Sequence, residues 1–340
     1  MNKIRQLFDE NFVVDLFKRE ILPHYPVFTA INRVEIKPYK ELIWETTYHV
    51  VIRFNTYFLK ASGEEVKIPI VCSAHSDESR DNIYLALKYL WASGFPSDFI
   101  DLPDPLFYSA EFRGTFYRGL RGENLLYYIK NKDLSAVTEI VTAAAKLFAR
   151  LHALTNLAEA DFNPESARIK TVIPGTAMIF REMGVRYHNK YNNDLIKIYD
   201  YFIQHEEKYF SSGGEKVLIH GDAHPENVIR TAQNRLGLID FTDLCLGDRA
   251  RDVGAFLQQL EYKIIIKAEG ADWAEKMKDL FLKVYLEAAG LKLTADLQTR
   301  IDLYYNWTAI RTATYFFLKA GHNEERGRDL LEKVKANLKL

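Results

Sequence analysis

One stretch constrains the chain more than any other: Val217-Leu218-Ile219-His220-Gly221-Asp222-Ala223-His224-Pro225-Glu226-Asn227-Val228-Ile229, followed by Leu236-Gly237-Leu238-Ile239-Asp240-Phe241. Short apolar runs, each the length of a buried strand, flank a polar loop, which predicts a tight β-loop-β unit. Such a unit delivers Asp222, Asn227 and Asp240 to one place. These residue types suit a site that holds metal and phosphate beside a carboxylate base.

The chain before this stretch changes character part-way. Ile4, Leu7, Phe8, Phe12, Val13, Leu16 and Phe17 recur at helical spacing over residues 2–22 and predict an amphipathic helix ending before Pro23. Strand-like runs follow at Arg33–Lys37, Thr46–Lys60 and Val66–Cys72, the last after the turn at Ser62-Gly63, and they predict a small antiparallel sheet. Asp77–Ser93 reads as a helix ended by Gly94. Two glycines in Phe116–Leu125 mark a hinge, after which helical periodicity dominates: Asn124–Lys130, Leu134–Leu154, Asp194–Tyr209 and everything beyond Val253. An α+β fold with a β-rich front and a helical back is the expectation.

Composition narrows the function. At 340 residues the chain has room for two substantial cores, and 13% aromatic residues exclude disorder. A formal net charge of −1 supplies no surplus for gripping nucleic acid. Two cysteines, Cys72 and Cys245, make no disulfide framework. Charges fill the N-terminal ten residues where a signal peptide needs an apolar core, and no run is long enough to span a membrane. The expectation is a cytoplasmic protein with no membrane, nucleic-acid or obligate protein partner.

His220–Asn227 fits H-x-D-x-x-x-x-N, a pattern in which the Asp accepts the proton of an attacking hydroxyl and the Asn binds a catalytic Mg²⁺. Asp240, after the next strand, adds a second metal-binding carboxylate. Mg²⁺ prefers hard oxygen ligands and takes few of them from protein, the rest coming from phosphates and water.

At these residues the chain resembles the aminoglycoside phosphotransferase and choline kinase-like family, small-molecule kinases of protein-kinase-like bilobal fold. The resemblance rests on His220–Asn227 as H-G-D-x-H-x-x-N, on Ile239–Asp252 as I-D-F-x-D…G-D…R-D, and on Leu147–Leu154 as L-F-A-R-L-H-A-L. Tyr117–Leu125, a hinge-like Y-R-G-L-R-G-E-N-L, supports it. It implies an N-terminal nucleotide lobe over residues 1–118 and a helical C-terminal lobe over residues 119–340 that carries the catalytic loop 218–241 and the acceptor site. It implies Asp222 as catalytic base, Asn227 and Asp240 as Mg²⁺ ligands, and Tyr117, Arg118 and Gly119 as the adenine-binding hinge. His220 would brace the loop, and Asp248 or Asp252 would anchor it. The implied reaction moves the γ-phosphoryl group of ATP, or of another nucleoside triphosphate, to a hydroxyl of a sugar, amino alcohol or aminoglycoside-like acceptor.

The front of the chain departs from that pattern. Lys37–Thr46, read as the loop between the first two strands, has no glycine with which to cover phosphates. The third strand ends Ile70-Val71-Cys72-Ser73-Ala74-His75, without the family's lysine. Lys67 is the nearest lysine, early in the strand, with Lys60, His75 and Arg80 as further candidates for the phosphate-gripping cation. These departures motivate an alternative, a nucleotide-binding protein of the same fold without turnover. Another takes His220, Asp222 and His224 as ligands of a metal-dependent hydrolase.

Bland readings stand beside the sharp ones. Asp248 and Asp252 alternate with Arg249 and Arg251 and fit a solvated ion-pair face as well as a loop anchor. His152 reads as a packed helix-end residue. Tyr304-Tyr305-Asn306-Trp307 and Tyr315-Phe316-Phe317, with Arg311 between them, fit core packing of a helix pair before an acceptor pocket.

Overall fold

A computed structural model describes residues 2–155, 157–158, 160–268, 270–319 and 323–340. The chain divides into two compact units, residues 1–123 with 229–242, and residues 124–228 with 243–340. The first crossing falls five residues beyond the expected 118/119 boundary, and the segment carrying Asp240 belongs to the first unit.

In the first unit a 3-10 turn (Lys3–Phe8) precedes α1 (Glu10–Glu20). The single helix expected over residues 2–22 is interrupted because Asp9 adopts an extended conformation and caps α1, its carboxylate accepting from the Phe12 N–H at 2.9 Å. The strands β1 (Phe28–Ile43), β2 (Tyr48–Lys60) and β3 (Glu65–His75) follow. After α2 (Asp81–Ala92) come β4 (Ile100–Asp101), β5 (Asp104–Ser109), β6 (Gly114–Arg118) and β7 (Glu123–Asn124). Five of these form an antiparallel sheet in the order β1-β2-β3-β6-β5.

Most of Lys37–Thr46 is therefore strand rather than loop, and the chain reverses only at Trp44–Thr47, where the Trp44 N–H donates to the Thr47 carbonyl at 2.9 Å. The misreading has a physical cause. As the edge strand, β1 tolerates Pro38 and a run of exposed polar side chains that mask its period of two.

The sheet's two faces differ. Val50, Ile52, Phe54 and Phe58 of β2 and Ile68, Ile70, Cys72 and Ala74 of β3 form one core with Ile4, Leu7, Val13 and Phe17. Phe17 is fully buried, with its ring 5.2 Å from Phe54 and 6.0 Å from Phe116, both edge-on. The alternate residues, Arg53, Asn55, Tyr57, Lys67, Val71, Ser73 and Tyr117, share the opposite face.

The second unit begins with α3 (Leu125–Lys130), α4 (Leu134–His152), α5 (Thr176–Tyr187) and α6 (Asn192–Ser211). Strand β8 (Val217–Ile219) leads into the polar loop. The chain then re-enters the first unit as β9 (Val228–Ala232) and β10 (Arg235–Leu238), with β10 parallel to β4. It returns as β11 (Cys245–Gly247), α7 (Arg249–Ala268), α8 (Ala271–Ala289), α9 (Ala295–Leu318) and α10 (Glu324–Leu338). Strand β8 pairs antiparallel with β11, not with the strand immediately after the loop. The architecture is α+β, as expected from the sequence.

Truncating Phe17→Ala is expected to cost about 3–5 kcal/mol. A lower urea midpoint by circular dichroism is the readout, and an unchanged midpoint would contradict the docking of α1 on the sheet.

Candidate active site

The loop after β8 is fixed by its backbone. The N–H groups of His220 and Gly221 donate to the two oxygens of one carboxylate, Asp252 in the first turn of α7, at 2.6 and 2.9 Å. Asp252 is fully enclosed, and the His152 Nε2, at the end of α4, lies 3.1 Å from its Oδ2. With the proton on Nε2, the His152 Nδ1 accepts from the Tyr285 hydroxyl at 2.7 Å. Burial alone would push the Asp252 carboxyl up, but the hydrogen bonds from His152 and from the His220 backbone N–H hold it below the usual carboxylate range.

The carbonyl side of the loop is held too. Buried Arg251 donates to the Gly221 carbonyl at 3.4 Å and to the Ser166 carbonyl. Gly221 has φ +80°, and a Cβ there would sit 2.3 Å from the Asp243 carbonyl oxygen, so only glycine fits. The His220 ring is completely buried, edge-on to Phe148 with centroids 6.4 Å apart.

Clamped in this way, the loop presents Asp222, whose side chain keeps 41% of its surface exposed. Its Oδ2 is 3.2 Å from the His224 Nε2, and the His224 Nδ1 is 3.1 Å from the Glu226 Oε2. Glu226 in turn pairs with Lys263 of α7. Burial disfavours the charges of Asp222, His224 and Glu226, yet the attraction of their neighbours prevails. The Asp222 carboxyl stands well below its usual range through His224, Arg311 and His220. The His224 imidazole is pushed up to about 10 by Asp222 and Glu226, and Glu226 is lowered to about 2 by His224 and Lys263. Asp222 is thus ionised at neutral pH beside an imidazolium.

Asn227 is buried, and its Nδ2 donates to the Asp222 carbonyl at 2.9 Å, which orients the amide with Oδ1 as its acceptor end. Asp243 accepts from the Ser166 hydroxyl at 2.6 Å, and burial together with the Asp222 charge raises its carboxyl.

In the first unit, Asp240 follows β10 with φ +63°, a left-handed conformation that a non-glycine residue adopts at a cost typical of functional positions. It is exposed, and its Oδ1 accepts from the Thr242 hydroxyl at 2.8 Å. Tyr117 stands opposite Val71 on β6, and burial plus the Asp240 charge push its hydroxyl upward. Arg118 is exposed at the end of β6, and the Gly119 N–H donates to the Pro69 carbonyl at 2.8 Å. Lys67 sits early on β3, 3.9 Å from Glu35 and over the Tyr57 ring. Arg53, which the sequence did not single out, lies on the same face in register with Val71 and Tyr117.

A model of the phosphotransferase enzyme family matches residues 45–297, a span that contains β2 to β11, the clamped loop and Asp240 but not the edge strand β1. The chain belongs to this family. It is a phosphotransferase, as the resemblance at His220–Asn227 and Ile239–Asp252 implied. Three solved structures are similar over most of their length. An ethanolamine kinase of Plasmodium vivax has a TM-score of 0.51 at 16% identity, covering 88% of this chain and 81% of that one. A spectinomycin phosphotransferase in complex with ADP and spectinomycin has 0.53 at 13%, covering 96% and 94%. An aminoglycoside phosphotransferase, a thermostable mutant in its apo form, has 0.54 at 14%, covering 96% and 98%. Such likeness shows the fold, a protein-kinase-like α+β arrangement. No curated protein matches the chain.

Within this phosphotransferase the second unit brings together His220, Asp222, Asn227 and Asp252, with His224, Glu226 and Lys263. Asp248 is buried in the same unit, but it caps α7 through the Ala250 N–H at 3.0 Å and pairs with Arg300, so it holds the start of the helix rather than the loop. The solvated ion-pair alternative fails for Arg251 and Asp252, each 1% exposed. Among the described residues no three His, Cys, Asp or Glu converge to hold a metal, and the His220 ring is buried. The hydrolase alternative finds no support among them.

The pH dependence has a defined sign. A His224 pKa of about 10 against the ordinary 6.5 means that its stabilisation is complete below pH 6.5 and is lost as pH rises through 10. The Glu226 contribution is complete above its ordinary 4.5 and is lost as pH falls through 2. Thermal melts from pH 6 to 10 are expected to show the unaltered protein more stable than His224→Gln at pH 6, with the difference closing toward pH 10. A pH-independent difference would contradict the charged pairing.

Proposed function

We propose that this phosphotransferase transfers the γ-phosphoryl group of ATP to a hydroxyl of a small molecule, with Mg²⁺. The observation that carries the reading is Asp222, an ionised, half-exposed carboxylate on a loop whose backbone is locked by Asp252. Asp222 orients the acceptor hydroxyl. As the acceptor oxygen bonds to the γ-phosphorus and the bond to the bridging oxygen breaks, ADP leaves and the hydroxyl proton passes to Asp222. A carboxylate held below its usual range is a weak base, but phosphoryl transfer runs through a loose transition state, so positioning outweighs basicity.

Asn227 and Asp240 present hard oxygen donors of the kind Mg²⁺ takes, and the ion would neutralise phosphate charge there. Tyr117, Arg118 and Gly119 form the adenine-binding hinge, and Lys67 with Arg53 supplies positive charge on the sheet face of Tyr117. A sugar, amino alcohol or aminoglycoside-like alcohol is the acceptor class suggested by the relatives. Two buried free thiols, Cys72 and Cys245, fit a cytoplasmic setting, and among the described residues no helix is long and apolar enough to cross a membrane.

A second reading rests on one observation. The late β3 position on the Tyr117 face is Ser73, not a lysine, which favours a nucleotide-binding protein without turnover.

Asp222→Ala is expected to lower nucleotide consumption by about 10²–10⁴-fold while leaving nucleotide affinity near that of the unaltered protein. Asp240→Ala is expected to weaken Mg-nucleotide binding by calorimetry. Full activity in Asp222→Ala would end the kinase reading, and nucleotide-dependent thermal stabilisation without consumption across a broad acceptor panel would favour the second.

A further inference from the structure

A cleft of about 870 Å³ opens on the first unit, and every residue that lines it belongs to that unit. Its volume is in the range of small-molecule sites. The sheet decides which way it faces. Side chains alternate along β6, so Arg118 projects opposite to Tyr117, onto the side where Ile70 and Phe116 pack in the core. The cleft, which Arg118 lines, is therefore distinct from the sheet face that Tyr117 shares with Val71 and Ser73.

Its walls are apolar and incompletely covered. Phe28 is half-buried there, and Val27 and Trp91 leave 61% and 44% of their surface exposed. The Trp91 indole is fixed in place, its Nε1 donating to the Pro103 carbonyl at 2.9 Å. A ring anchored in this way offers a rigid apolar surface to a ligand.

Two opposite charges meet at the same cleft. Asp104 of β5 and Arg118 of β6 are direct cross-strand partners. Such neighbours stand on one face with their Cβ atoms about 4.5–5.5 Å apart. Neither side chain nevertheless makes a hydrogen bond or an ion pair with any described residue. Burial pushes the Asp104 carboxyl up against the pull of Arg118, the condition of an acid without a bonded partner. Tyr25, a further lining residue, has a hydroxyl with no hydrogen-bond partner among the described residues.

The other charged groups of the lining are engaged. Arg235 holds Asp101, its Nε 3.1 Å from the Oδ2, and Arg121 donates to the Lys67 carbonyl. Asp104 and Arg118 are left as an anion and a cation side by side, each open to a partner of the opposite sign. A molecule that carries both charges on neighbouring atoms satisfies the two together. In an α-amino acid the ammonium and the carboxylate hang on one carbon, and the side chain is free to lie on the apolar wall.

We propose that this cleft binds an α-amino acid with an apolar side chain, its ammonium on Asp104, its carboxylate on Arg118 and its side chain against Trp91 and Phe28.

Calorimetric titration of the full chain tests this without requiring turnover. The probes are L-phenylalanine, L-leucine and L-tryptophan, each beside the acid that lacks its amino group and the amine that lacks its carboxylate. At least one amino acid is expected to bind about tenfold or more tightly than both of its analogues, the scale of a charge-assisted contact. Asp104→Asn is expected to erase the advantage over the acid and keep that over the amine. Arg118→Gln is expected to do the reverse, a reciprocal pattern that misfolding does not produce. The unaltered protein alone can overturn the proposal, by binding no amino acid more tightly than both analogues. Survival of both preferences in the two variants would overturn it as well. Affinity is expected to be unchanged under saturating Mg-ADP, and displacement by Mg-ADP would assign the cleft to nucleotide and end the proposal. Loss of transfer in Asp222→Ala stands whatever this cleft binds, so the two readings fail separately.

Discussion

Two successive peptide N–H groups, those of His220 and Gly221, end on the two oxygens of the Asp252 carboxylate. A carboxylate can serve both only if the backbone turns sharply at that point, and the turn requires the left-handed conformation and bare Cα of Gly221. Everything that presents Asp222 follows from this bond pair. The carboxylate is itself aimed by His152, which is aimed by Tyr285, so α4, α7 and α8 all converge on one anchor. Burying a charge so completely is costly unless every lone pair is used. Here the two amides and the imidazole use them.

The same economy of charge governs the exposed side of the loop. Asp222, His224, Glu226 and Lys263 alternate in sign along a line of contacts, which favours the charged forms of Asp222, His224 and Glu226. An alternating line of four charges has little net field of its own.

The residues of the loop after β8 were legible because their spacing is local. Asp222 and Asn227 lie five residues apart, and the flanking strands are short apolar runs. The anchor was only half legible: His152 and Asp252 are 100 residues apart, and no local pattern links a helix-end histidine to a helix-start aspartate. Arg251 and Asp252 looked like a solvated face because adjacent charged residues on a helix usually are one. Here the first turn of α7 is enclosed on all sides, which periodicity cannot reveal. In the sheet, central strands with a clean alternation were read well, whereas the edge strand β1 was cut short by the polar residues and proline that edges tolerate.

The first unit is built from two separate stretches of chain, and β10, which leads to Asp240, pairs with β4 more than 130 residues earlier. During synthesis the N-terminal 123 residues therefore emerge with the five-stranded sheet whole but with β9 and β10, the partners of β4 and β7 in a second sheet, still untranslated. That unit stays open until residue 242 has left the ribosome, by which time β8 and the catalytic loop have also been made. A fragment cut at the first crossing would keep the five-stranded sheet but lack β9 and β10, the two strands that pair between β4 and β7. The order in which this enzyme is made thus ties completion of its sheet-bearing unit to prior delivery of its catalytic loop.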